Sequence, residues 1–324
     1  MFVNLDKARQ LIQEERILHI AADESLLKQL PPGKWIAGTT PYFITEQGGI
    51  TSKDKLFVNE IDCAVDFKTA VYDRNNIFDI TKDAFPNGLT FLVMPFASDV
   101  AVYYAKEAPN ADDLFLYPIV GWISGFDLAT GSQAKVFNGV TGTAYSDKAV
   151  ALHIGLPEEK TAALGIVNIF SADEKESILE FTEDALSVTK CLVNGKEVIL
   201  ADYLAENNID TKLPLVADYN SVLVNVSIKS VSADKKTVEF YAPVFAGKEY
   251  RFARSVGNYA AKFDEHLQEL KNVKPVFSCN CILNYLYGEL EGKATPPFAG
   301  PVTFGEIAYQ LLNQTLVFAE IVNK

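Results

Sequence analysis

The period of the apolar positions changes repeatedly along the chain, and each change predicts a switch between helix and strand. Asn4 precedes Leu5, Ala8, Leu11 and Ile12, a helical spacing with a capping residue at its start. Ile17-Leu18-His19-Ile20 then reads as a short buried strand. Asp23 caps a second helix carrying Leu26, Leu27 and Leu30, which Pro31-Pro32-Gly33 stops. Residues 35–44 are extended, because Gly38-Thr39-Thr40-Pro41-Tyr42 is too rich in small and β-branched residues for a helix.

Broken alternation over residues 56–72 predicts paired strands. The continuous apolar run over 89–96 predicts a strand buried on both faces. Ser98 caps a helix through Val102 and Lys106 that must end before Pro109. Residues 117–124 form another buried strand, Asn138-Gly139 carries a hairpin signal, and 149–156 and 163–170 continue the sheet. The charged stretch 171–176 marks a boundary. Beyond it, strands at 178–182 and 188–193 lead to a second Asn-Gly turn at Asn194-Gly195 and a short helix at 200–206. Residues 222–230 and 237–242 alternate and predict a hairpin across 233–236. Residues 257–270 place Ala260, Phe263, Leu267 and Leu270 on one helical face. A segment at 275–279, a helix at 282–290 and strands around Val302 and at 315–321 close the chain.

Helices and strands thus alternate in both halves. The expected fold class is α+β (mixed α/β), with two sheet-containing lobes, 1–172 and 173–324, whose helices cover the sheets. Pro118-Ile119-Val120-Gly121 is echoed by Pro297-Phe298-Ala299-Gly300, and the residues that follow are alike too. An internal duplication explains the echo, and so does chance, since the unit is far shorter than a full repeat.

The net charge of −13 argues against a nucleic-acid partner, and no run of Lys and Arg offsets it locally. An anionic membrane surface is disfavoured for the same reason. The first residues lack the basic start and apolar stretch of a signal peptide, and four scattered cysteines do not make a disulfide framework. A cytoplasmic protein is expected.

Catalytic chemistry finds few candidates. His19 and His153 sit between apolar strand residues and read as structural histidines bonded to a neighbour, and His266 as a solvated one. Gly121-Trp122-Ile123-Ser124-Gly125 approaches a nucleophile elbow, but its serine is one place late. Cys279-Asn280-Cys281 has no second pair with which to hold a metal, and no basic neighbour to activate a thiol. Phosphate-loop spacing is missing, so neither a metal nor another cofactor is expected.

Several segments, taken in order, resemble the FIST sensory domain with its N- and C-terminal parts. Trp35-Ile36-Ala37-Gly38-Thr39-Thr40 is similar to the early aliphatic-Gly-small-Thr strand of that family, and Pro118 to Asp127 to its Pro-aliphatic-Gly-Gly segment. Val193-Asn194-Gly195-Lys196, Phe277-Ser278-Cys279, Phe304-Gly305-Glu306-Ile307 and Asn313-Gln314-Thr315 resemble motifs of the C-terminal part. Residues 35–43 also resemble a group of stand-alone bacterial proteins, an outlying branch. The resemblance implies binding of an amino-acid-like metabolite and passage of that state to a separate signalling protein. The chain departs from the family where an Arg commonly follows Ser-Cys, having Cys281 and Ile282 there instead.

The expected ligand site gathers Gly38, Thr39, Thr40, Tyr42, Gly121, Trp122, Gly125, Asp127, Cys279, Asn280, Gly305, Glu306 and Asn313. Its glycines would leave a hollow at the strand ends and its polar side chains would face inward. Two other readings stand beside this sensor: a hydrolase using Ser124 or Cys279, and an assembly protein with an exposed apolar face.

Overall fold

The computed structural model describes residues 1–219 and 222–324. Its strands form four six-stranded sheets and one three-stranded sheet, with helices interspersed between them. The fold is mixed α+β. Local signals act where expected. Asn4 accepts from the Lys7 amide and starts the helix Leu5–Gln13, Asp23 caps Glu24–Leu27, and Ser98 caps Asp99–Glu107. In that third helix Val100, Ala101, Tyr104 and Ala105 form the buried face, and the turn containing Pro109 follows its end.

Three parallel strand pairs organise the interior. Leu18–Ala22 lies beside Trp35–Thr39, Gly88–Pro95 beside Ile119–Ser124, and Phe277–Cys281 beside Gly300–Thr303. Each pair is joined through a helix, because parallel strands need a crossover connection. Gly88–Pro95 is buried along its whole length, which is why its sequence is a continuous apolar run. The Pro-x-x-Gly echo now has a physical meaning. Gly121 and Gly300 each lie on the second strand of such a unit, and a Cβ there would strike a carbonyl oxygen of the first strand, Leu92 or Ser278.

The C-terminal strands join sheets built from the first half of the chain. Glu306–Ala308 and Gln310–Leu312 extend the sheet of Ile119–Ser124. Leu316–Asn323 pairs with Lys160–Val167, and Gly300–Thr303 with Tyr42–Thr45. The strands between residues 179 and 252 form two sheets among themselves. The candidate site lies where early and late strands meet.

Three local expectations are corrected. The strands Leu56–Glu60 and Asp66–Tyr72 belong to different sheets and do not pair with each other. At Asn138-Gly139 the asparagine ends a strand, its side chain accepts from the Val140 and Thr141 amides, and the left-handed glycine is Gly142. The hairpin loop is therefore longer than the dipeptide suggests. Leu223–Val226 pairs with Leu215–Asp218, so the hairpin across 233–236 is built from Ile228–Ser232 and Thr237–Val244.

Candidate functional site

The residues expected to form a hollow converge, but the space between them is filled. A Cβ at Gly38 would strike the indole of Trp122 and the side chain of Val93, one at Gly125 the ring of Phe304, and one at Gly305 the side chain of Ile123. These glycines admit neighbouring side chains, not a ligand. Thr39 donates to the Gly125 carbonyl and Thr40 to the Val302 carbonyl, both at 2.7 Å, so both hydroxyls tie strands together. Trp122 donates to His19 Nε2 at 2.7 Å. Tyr42 is buried, its hydroxyl accepting from the Leu128 amide, and Asp127 lies nearer the surface, where it pairs with Lys53 at 2.7 Å.

Glu306 is the chemical centre of the interior. It is fully buried and sits opposite Trp122 in the strand pairing. Thr303 Oγ1 donates to one carboxyl oxygen at 2.8 Å, while the Thr315 amide and hydroxyl donate to the other at 3.2 and 2.9 Å. Burial raises its pKa to about 8, with the hydrogen bonds from Thr303 and Thr315 opposing that rise. The carboxyl is therefore mostly protonated at neutral pH. Cys279 and Cys281 lie on Phe277–Cys281, a strand of another sheet packed close to it, and burial first, then the Glu306 charge, pushes both thiols well above their usual range.

From Glu306 a run of hydrogen bonds leads outward. Asn284 Nδ2 donates to the Thr315 carbonyl at 3.0 Å and to Asn280 Oδ1 at 2.8 Å. Asn284 Oδ1 accepts from the Tyr259 hydroxyl at 2.5 Å, and that hydroxyl accepts from Gln314 Nε2 at 3.1 Å. The same stretch holds Asn313, whose side chain accepts from the Ser227 amide, and Gln314, whose amide donates to Cys281 Sγ at 3.3 Å. Asn280, Glu306 and Asn313 are thus part of one polar network, although the expected glycine hollow is absent from it.

Tyr259 also lines a surface depression of about 480 Å³, together with Asp210, Lys212, Asn258, Tyr287 and Lys293. Its ring meets Tyr287 edge-on at 6.1 Å, and Lys212 Nζ lies 5.7 Å from the Tyr287 ring centre. Asn258 starts the helix Tyr259–Glu269 by accepting from the Ala261 amide. None of these residues stood out in the sequence. In the helical pattern of 257–270 Tyr259 falls on the apolar face, four residues before Phe263, where it reads as one more packing residue. The one available signal was a pair of tyrosines, Tyr259 and Tyr287, at the start and end of two predicted helices.

The nucleophile candidates lack an activating partner. Among the described residues the buried Ser124 Oγ has no hydrogen-bond partner, and the Cys279 thiol donates to the Gly121 carbonyl. Among the described residues no group of three or more His, Cys, Asp or Glu side chains is placed to hold a metal ion. His153 is bonded on both nitrogens: Nδ1 lies 2.9 Å from Thr90 Oγ1 and Nε2 lies 3.0 Å from the Tyr72 hydroxyl. Tyr72 donates to Asp83 at 2.7 Å, so it accepts from Nε2–H, and the Thr90 hydroxyl donates to Nδ1. Burial lowers the His153 pKa to about 4, which keeps the ring neutral. Replacing Tyr72 with Phe strands Nε2–H without an acceptor and destabilises the chain by about 1–3 kcal/mol, measurable by urea unfolding. His266 is half-buried and its ring contacts the Lys262 carbonyl, where solvation alone was expected.

Among the described residues no helix is long and apolar enough to cross a membrane. A search of curated proteins gives no match. A family model described as "Family of unknown function (DUF6976)" matches residues 3–322, nearly the whole length, and the chain belongs to that family.

Proposed function

We propose that this chain is a non-enzymatic sensor of a small, amino-acid-like metabolite, held in the depression at Tyr259. The observation that carries this reading is the hydrogen-bonded run from the Tyr259 hydroxyl to Glu306. It joins an open, polar surface site to the interior residues that the resemblance to sensory domains had already picked out. Lys212 and Lys293 suit a carboxylate and Asp210 suits an ammonium group, while Tyr259 and Tyr287 offer ring faces to an apolar side chain. Ligand sites combine convergent polar groups with aromatic walls in this way. The output passes to a separate protein. Cytoplasmic placement accords with four free cysteines, which persist in a reducing compartment.

A thermal-shift screen of the amino acids and short dicarboxylates tests the reading. A specific binder present at 100 times its Kd stabilises the folded state by about 2.7 kcal/mol, a clear rise in melting temperature. Lys212→Ala and Tyr259→Phe then reduce the rise. If no compound moves the melting temperature, or both variants respond like the parent chain, the site is not where this ligand binds.

A further inference from the structure

We propose that the protonation state of Glu306 gates the Tyr259 depression: the neutral carboxyl holds its Tyr259 wall in place, and the carboxylate loosens it. The gate regulates the site proposed above, so its biological meaning rests on that reading, but its physical test does not.

Three features carry the proposal. First, Tyr259 in the wall of the depression and the carboxyl of Glu306 are both bonded to one short segment. Thr315 donates twice to Glu306 and its carbonyl accepts from Asn284, which holds the Tyr259 hydroxyl. Gln314, the preceding residue, reaches the same hydroxyl and the Lys212 carbonyl with Nε2, while its Oε1 accepts from Ser227 Oγ at 2.7 Å.

Second, that segment has the form of a hinge. It connects the strands Gln310–Leu312 and Leu316–Asn323, and Gln314 lies in the left-handed region with φ of 56°. A residue with a β-carbon is uncommon there and is held in place by its surroundings, here the contacts to Cys281, Ser227, Lys212 and Tyr259.

Third, among the described residues no cation lies near Glu306 to compensate a negative charge, and hydrogen bonds offset its burial only in part. The ionisable groups facing it are the thiols of Cys279 and Cys281 on a strand of the sheet packed against it and the phenol of Tyr259 on the helix Tyr259–Glu269, all held neutral by burial. Trp122 and Leu312 flank it in its own sheet. Among the described residues its hydrogen-bond donors are Thr303, Thr315 and the Cys281 thiol, with no lysine or arginine. A carboxylate at this position is relieved only by water, and the polar run through Thr315, Asn284 and Tyr259 leads from the interior to a solvated depression.

The experiment uses the full chain without ligand. Trp35 and Trp122 are the only tryptophans, so Trp35→Phe leaves Trp122, directly across from Glu306, as the sole indole emitter. Its emission is expected to shift with a midpoint near pH 8, and the shift is expected to vanish when Glu306→Gln is added. Hydrogen exchange on the unsubstituted chain, corrected for the intrinsic effect of pH, provides a readout that does not depend on Trp35→Phe folding. Residues 255–260 and 313–315 are expected to lose protection severalfold between pH 7 and pH 9, and to keep it in Glu306→Gln. Emission and exchange that do not change overturn the gate, as does a loss of protection spread evenly over the chain. A working gate with no hit in the ligand screen overturns only the sensor reading; a hit without gating overturns only the gate.

Discussion

Between pH 6.5 and 8 the wild-type chain loses stability as the pH rises, and Glu306→Gln removes that loss. The direction follows from proton binding. The folded pKa of Glu306 is about 8 against an ordinary value of 4.5, so between these limits the folded state holds a proton that the unfolded chain releases. Stability contributed by this group is full below pH 4.5 and declines until the pH passes 8. His19 and His153 act in the opposite sense. Burial lowers their folded pKa values to about 3 and about 4 from 6.5, so they destabilise the fold as the pH falls below 6.5. Above 6.5 their contribution levels off. The buried Met1 amine, whose pKa burial lowers from 8.0, also acts against Glu306, so the Glu306 effect is read as the difference between wild type and Glu306→Gln, in which these groups are unchanged. The decline there is about 2 kcal/mol for a pKa of this size. In the neutral acid the proton lies on Glu306 and is donated to Thr303 Oγ1, which turns its own proton to the Asn280 carbonyl at 3.2 Å. Gln presents its amide to Thr303 and its oxygen to Thr315 in the same way. The check is urea unfolding at several pH values; a variant with the same slope as wild type would assign the pH dependence to another group.

Gly121→Ala abolishes stable folding. The added methyl meets the Leu92 carbonyl on the parallel neighbour, and both strands lie in the buried interior, so neither can move aside cheaply. The expected cost exceeds about 4 kcal/mol, in the range reserved for core disruption. Gly195→Ala is the control. Gly195 sits in the two-residue turn between Lys190–Val193 and Lys196–Ile199, has φ of 77°, and meets no atom near an added Cβ. Only the left-handed backbone is strained there, at about 1–2 kcal/mol. Soluble yield and melting temperature should separate the two variants sharply. A folded Gly121→Ala with a near-normal melting temperature would mean that the two strands are not packed this closely.

Both predictions concern residues that the sequence marked for a different reason. Gly121 was legible as special, and so was Glu306, but a glycine in a strand says only that something comes close. Here that something is a neighbouring carbonyl, and at Gly38, Gly125 and Gly305 it is a side chain. The Tyr259 depression was not legible at all. Its walls come from residues 210–213, 255–260 and 287–293, brought together by packing, and no spacing within any one segment reports such a meeting.

Caps, turns and the period of burial were determined by the sequence itself, since each depends on contacts within a few residues. Asn4, Asp23, Ser98 and Asn194-Gly195 act as their side chains and backbone preferences require wherever the chain goes next. Which strands lie side by side was decided only by the tertiary structure. The two edges of a strand are chemically alike in their backbone groups, so choosing Leu316–Asn323 as the partner of Lys160–Val167 required the whole interior to be assembled. The same assembly sealed Glu306 away from any cation, and with it made an ordinary carboxyl into a proton-sensitive one.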